Sequence, residues 1–412
     1  MAEPHTWQMR LQQQAQQRRT QNLWRQPRVL PAQHINFCSN DYLGLSQEPR
    51  IIAAYQLGLQ RYGCGSGGSP LISGFQAPHQ ALSEKLAAWL GRDAVLLTGS
   101  GYAANYAVAN VLDQLDPVYF FDKCNHASMY DAIGLNATSG RTSNGQRGLH
   151  RFCHNDIGHL KQLLAKNQQR AQGAMQQPVI ASEGIFSMDG DALPLHELIE
   201  LQQKTEVSSA PLIWVDDAHG IGVTGEQGAG VCAQTTSEEV AIVSATFGKA
   251  FAMSGAFVAG DHSVIEAAWQ QARHYIYSTA FSAAQAEALS VALDIISGEA
   301  QHQQQLAHNI DYFKQGLIAL GWRTESENRG LNHAIQPVVT GSAQTALTLG
   351  ARLMKQGIAC LPIRPPTVTA AKAGVRVTVR ANHSITDINQ LLDALGPQAR
   401  FIEQSSTEAT GQ

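Results

Sequence analysis

The sequence lacks paired cysteines. Its six, Cys38, Cys64, Cys124, Cys153, Cys232 and Cys360, form no C-x-x-C pair and none of the spacings that build a zinc site. That leaves no basis for a disulfide framework or a metal centre, and reduced thiols in a cytoplasmic protein are expected. Charge is also scarce: 15% of residues are Asp, Glu, Lys or Arg, with a formal net of -4, so there is no electrostatic reason to propose a nucleic-acid partner. No apolar run approaches the length of a membrane span. The opening "MAEPHTWQMRLQQQAQQRR" lacks the apolar core of a signal peptide, so neither membrane insertion nor export is expected.

What is present is 412 residues with 44% hydrophobic content, enough for two to three domains or one large one with attachments. Short apolar runs alternate with helical patterns: "AVLLT" from Ala94, "VYFFD" from Val118, "PVIASE" from Pro178, "PLIWVD" from Pro211, "AIVSAT" from Ala241 and "GAFVAG" from Gly255. Strands interleaved with helices predict an α/β fold, a mainly parallel sheet covered by helices. From about Arg273 long helical stretches take over. They lead to a strand "HAIQPVVT", a helix "AQTALTLGARLMKQG", a strand "GVRVTVR" and a helix "TDINQLLDAL", which Ser384 and Asp387 would cap. The expected layout is an N-terminal helix and arm (1–50), a large α/β domain (51–290), a smaller C-terminal α+β domain (291–400) and a disordered polar tail (401–412).

Gly63, Gly65 and Gly68 in "RYGCGSGGSP" match the G-x-G-x-x-G spacing of dinucleotide loops. That mechanism needs a strand before the loop and a helix after it. Here "IIAAYQLGLQ" has helical spacing, and "SPLISGF" carries Pro70 and no helical start. The loop is expected to allow close approach of backbone to substrate or to a neighbouring subunit.

Ligands of open α/β sheets bind beyond the carboxyl ends of the strands. Two of those ends are rich in chemistry: "PLIWV" runs into Asp216, Asp217 and His219, and "AIVSAT" into Thr246 and Lys249. A carboxylate, an imidazole and an amine converging on one crevice suit pyridoxal phosphate. The amine can form a Schiff base and the carboxylate can hold the pyridine nitrogen protonated.

These stretches, "VDDAHGIGVTGEQGAG" and "ATFGKAFAMSGAF", resemble the aspartate and lysine motifs of fold-type I pyridoxal-phosphate enzymes, specifically the α-oxoamine synthases. "NDYLGLS", "GSGGS", "HQALSEKLAAWLG", "SGYAAN", "NHAS", "SEGIFSMDGD" and "IYSTAFS" are similar to that family in its chain order, over residues 1 to 400. The resemblance implies pyridoxal 5'-phosphate on Lys249, Asp216 at the pyridine nitrogen, His219 at the phenolic oxygen and His126 stacked on the ring. It also implies Ser187 as a cofactor contact and Thr246 at the phosphate, which would sit on the N–H groups of Gly101 and Tyr102. For substrates it implies Arg364 at the amino acid carboxylate, Thr367 beside it, and Arg25 or Arg28 at the acyl chain. "IRPPTV" at Ile363 is most similar to the biotin-pathway branch, implying L-alanine and pimeloyl-CoA or a pimeloyl acyl carrier protein as substrates, with a sibling α-oxoamine synthase using glycine or L-serine as the alternative. The chain departs from the family by "PTVTAAKAGVR", which loses a proline at the substrate mouth. A homodimer is implied as well.

Overall fold

The computed structural model describes residues 6–21, 23–137, 148–171, 176–205, 210–322, 333–365 and 367–399; the polar tail 401–412 lies outside them. In chain order the strands are β1 (Ile35–Asn36), β2 (Ala94–Thr98), β3 (Pro117–Asp122), β4 (Leu149–Phe152), β5 (Gln177–Glu183) and β6 (Leu212–Asp216). They continue with β7 (Ile242–Thr246), β8 (Ala256–Gly260), β9 (Ile335–Val339), β10 (Ile358–Ala359), β11 (Pro362–Ile363) and β12 (Gly374–Thr378).

Seven strands form the central sheet in the order β2-β8-β7-β6-β5-β3-β4. β8 runs antiparallel to both neighbours and the remaining pairs are parallel. Alternation along the strands explains the layering. Tyr119, Phe121, Ala181 and Trp214 pack into one buried cluster, while Val118, Phe120, Ile180 and Ile213 pack into another on the opposite face. Every residue of β3 is buried, as a strand covered on both faces requires.

The strand β4, "LHRF", had no counterpart in the apolar runs. It is an edge strand with mostly exposed side chains, so it carries no apolar signal. "SPLISGF" does open a helical turn: Pro70–Gly74 form one short π-helical turn. The glycine loop before it follows the helix Pro49–Tyr62, so no strand precedes the loop.

The smaller unit is an antiparallel sheet, β11-β12-β9, packed with helices Ala343–Lys355 and Ile385–Leu395. The capping box is present: Asp387 N–H donates to Ser384 Oγ, and Ser384 N–H donates to the Asp387 carboxylate. The N-terminal arm belongs with this unit, because β1 pairs with β10 and the Phe37 carbonyl accepts from Thr378 N–H at 2.9 Å. The boundary expected at residue 290 falls inside one helix, Ala283–Gly298, which packs on helices Pro49–Tyr62 and Ala77–Leu90. Among the described residues, no helix is long and apolar enough to cross a membrane.

Candidate active site

The carboxyl ends of β5, β6 and β7, together with the turns after β2 and β3, enclose a crevice of about 210 Å³. Lys249, Asp216, His219, His126, Gly101, Tyr102 and Thr246 all line it. Each arrives by a short route. β6 delivers Asp216 at its last residue, β7 delivers Thr246, and the tight turn after β7 places Lys249 three residues later. β2 ends at Thr98, and Ser100 then caps the helix Gly101–Leu112, its Oγ accepting from Ala103 N–H at 3.2 Å.

That cap leaves the N–H groups of Gly101 and Tyr102 in the first turn of a helix whose start lines the crevice, a place suited to an anion. A Cβ at Gly101 would lie 3.8 Å from Thr246 Cβ, so the helix start and the end of β7 flank one small space. The Thr246 hydroxyl donates to the Gly255 carbonyl at 2.9 Å and accepts from Gly248 N–H at 3.1 Å, which fixes its position.

Asp216 is held by two donors: Asn105 Nδ2 on Oδ2 at 2.8 Å and Ala218 N–H on Oδ1 at 3.1 Å. Asn105 is the hub of a buried network. It also donates to Ser128 Oγ at 2.8 Å and accepts from Ser244 Oγ at 2.8 Å. Ser128 Oγ meets His126 Nδ1 at 2.8 Å, so His126, Ser128, Asn105 and Asp216 are one hydrogen-bonded chain. His219 is buried, with Nδ1 2.5 Å from the hydroxyl of Tyr42.

Lys249 is partly exposed where the crevice opens, yet enclosed enough that burial pulls its ammonium down to about 8, against the attraction of Asp216 and Glu183. Burial likewise holds His219 well below its ordinary value, with the positive charges of Lys249 and Arg376 adding to the effect. Glu183 sits opposite Asp216 in the β5–β6 register and is 2% exposed. Burial, reinforced by the Asp216 charge, raises its carboxyl well above the usual range.

Asp217, the second aspartate of the pair, is structural. Its Oδ2 accepts from Val231 N–H at 2.7 Å, and a Cβ at Gly184, Gly220 or Gly230 would strike its carboxylate within 2.3 Å. Those three glycines let the backbone wrap around it.

Other sequence candidates are placed elsewhere. Ser187, Arg364 and Thr367 are not among the crevice-lining residues, and Arg25 and Arg28 are exposed. Arg364 and Thr367 share a turn, Thr367 N–H donating to the Arg364 carbonyl at 3.0 Å. Arg376, on β12, does not line the crevice either, but connects to it through Asn40, Tyr42 and His219: Nε donates to the Ser187 carbonyl at 2.7 Å, and both terminal nitrogens reach Asn40 Oδ1 at 3.2 Å. Sequence reasoning assigned no role to Asn105, Glu183, Tyr42, Ser128 or Arg376. The first four lie inside the family-like motifs, and their signal was a buried polar residue in an otherwise apolar or small-residue stretch.

The fold also gathers Asp122, Cys124 and His154. Both ring nitrogens of His154 are engaged by carboxylates, Nδ1 by Asp122 at 3.1 Å and Nε2 by Asp191 at 2.8 Å. Against the cost of burial, those partners raise its pKa to about 12, making it a charged strut.

The family described as "Aminotransferase class I and II" matches residues 32–395. The chain belongs to that family. It is 42% identical to 8-amino-7-oxononanoate synthase of Klebsiella pneumoniae (strain 342), over 95% of this chain and 98% of that one. Among solved structures it is similar to an 8-amino-7-oxononanoate synthase from Francisella tularensis, with 25% identity, TM-score 0.74, and 90% and 99% of the two chains covered. A structure of SPT, a serine palmitoyltransferase, with PLP is also 25% identical, with TM-score 0.79 and coverage of 89% and 87%. The fold is that of fold-type I pyridoxal-phosphate transferases. The crevice fits the cofactor: an amine able to condense, a carboxylate fixed by two donors, and N–H groups in the first turn of a helix whose start lines it.

Proposed function

We propose that the chain catalyses the decarboxylative condensation of L-alanine with a pimeloyl thioester, releasing 8-amino-7-oxononanoate, carbon dioxide and free thiol. The observation that carries this reading is the 42% identity to an 8-amino-7-oxononanoate synthase over 95% of the chain. The crevice geometry supports it, with Lys249 and Asp216 lining one enclosed space.

Bound pyridoxal phosphate supplies an aldehyde carbon that condenses with amines and a ring that accepts the electron pair left at an amino acid Cα. The side chains supply the rest. Lys249 would hold the cofactor through its amine and would move the proton at the alanine Cα. Burial, which pulls its ammonium down to about 8 in the cofactor-free chain, favours the neutral amine that this role requires. Asp216, immobilised by Asn105, would hold the cofactor's ring nitrogen protonated. His219 would bind the cofactor's phenolic oxygen, and His126, whose Nδ1 meets Ser128 Oγ, would stack on its ring. Gly101 and Tyr102 N–H would bind the phosphate, and the Thr246 hydroxyl would join them by turning its proton away from the Gly255 carbonyl. The carboxylate of alanine would pair with Arg364, as the resemblance implies, or with Arg376, whose charge is felt at both Lys249 and His219.

The working form is a cytoplasmic homodimer. Its support is exposed apolar surface: Ile72 is 84% and Tyr277 71% exposed, and Tyr102, which lines the crevice, is 45% exposed. Light scattering tests the dimer. For the reaction, Lys249→Ala should leave a folded protein that retains noncovalent cofactor and loses turnover by at least about a thousandfold; near-normal turnover would refute the assignment.

A further inference from the structure

His219 offers two ring nitrogens, and which one carries the proton decides whether the crevice receives a donor or a lone pair. Its imidazole is neutral in the folded chain, because burial opposes a charge there. The tautomer is therefore the variable that matters.

The surroundings of Tyr42 restrict the choice. Its ring is fully buried and its hydroxyl has two acceptors in reach, His219 Nδ1 at 2.5 Å and Asn40 Oδ1 at 3.3 Å. Asn40 Oδ1 already receives two guanidinium N–H groups from Arg376, each at 3.2 Å. Both of its lone pairs are engaged, and a third donor at 3.3 Å would be a poor bond. The short contact to Nδ1 is the better place for the phenolic proton. If His219 instead donated from Nδ1, the tyrosine proton would be left with the crowded amide oxygen.

The position of Tyr42 is itself over-determined. His333 stands edge-on to its ring at 5.3 Å and bonds the His219 carbonyl through Nε2 at 3.0 Å, so both residues are braced by one buried histidine. Tyr42 N–H donates to the Asn40 carbonyl at 2.8 Å, and its own carbonyl accepts from Ala381 N–H at 2.8 Å.

We propose that Tyr42 is a positioning residue that holds His219 as the Nε2–H tautomer, so that the crevice is presented with a hydrogen-bond donor. This rests on the reading of the crevice as the cofactor site, where a donor favours the ionised phenolic oxygen and a lone pair repels it. The N-terminal arm thus sets the polarity of a group 177 residues away.

The test uses the full chain labelled with nitrogen-15 histidine. Long-range nitrogen–proton spectra of the cofactor-free protein report the tautomer of each neutral ring, with His219→Gln used to assign the signal. In the unmutated chain His219 should be protonated on Nε2; protonation on Nδ1 would overturn the proposal. Tyr42→Phe should turn the single tautomer into a mixture and weaken cofactor binding about three- to tenfold, the worth of one hydrogen bond. It should also shift the visible absorption of the bound cofactor. An unchanged tautomer and unchanged affinity in Tyr42→Phe would likewise overturn it. Because the tautomer is read without turnover, a failure of the proposed reaction would leave this result intact and distinguishable.

Discussion

Replacing Asn105 with Ala removes the hub between Asp216 and the rest of the network. Asn105 is 1% exposed and makes three hydrogen bonds of 2.8 Å, one to a carboxylate and two to serine hydroxyls. A bond to a charged group contributes about 1.5–3 kcal/mol and a neutral one about 0.5–1.5. Water entering from the crevice can restore part of this at Asp216, so the net loss should be about 3 kcal/mol. Urea unfolding of the cofactor-free protein, followed at its first transition, measures it directly. The midpoint should fall with little change in slope, and cofactor affinity should drop about tenfold as Asp216 loses its fixed orientation. Asn105→Asp is the sharper control, since it preserves shape but sets an acceptor against Asp216; it should be worse than Ala. A loss below about 1 kcal/mol for Ala, or an Asp variant that outperforms it, would refute the reasoning.

Glu183 should tolerate Gln. Burial raises its carboxyl in the folded chain, so its contribution to stability is full below the unfolded value and is lost as pH rises toward the folded one. Glu183→Gln should therefore match the parent in urea midpoint near about pH 4 and exceed it near about pH 8; a variant weaker than the parent at the higher pH would contradict this. His154 behaves in the same sense for the opposite reason, because Asp122 and Asp191 stabilise its charged form and raise it to about 12. The destabilisation caused by His154→Gln should be greatest below the ordinary histidine value of about 6.5 and shrink steadily toward about pH 12. Urea midpoints at about pH 6 and about pH 9 check it, and a larger loss at the higher pH would be the contrary result.

The α/β core was legible because strands buried on both faces must be short and apolar, as "VYFFD" and "LIWVD" are. β4 was not, since an edge strand with His150 and Arg151 need not alternate. The residues converging on the crevice were legible where they follow a strand directly, as Asp216 and Lys249 do. The role of Asn105 was hidden, because its partner Asp216 lies 111 residues away and meets it only through sheet order. Arg376 was likewise hidden, because only the β12 pairing places it beside Asn40 and Ser187.

The central claim, that this crevice joins L-alanine to a pimeloyl thioester, is tested by steady-state assay of the cofactor-loaded protein with L-alanine, glycine and L-serine in turn. Free thiol is titrated and the product identified by mass. The account predicts thiol release matched by 8-amino-7-oxononanoate, with kcat/KM for L-alanine at least about tenfold above either competitor, a margin of about 1.4 kcal/mol. Preference for glycine or L-serine, or thiol release without that product, would contradict it.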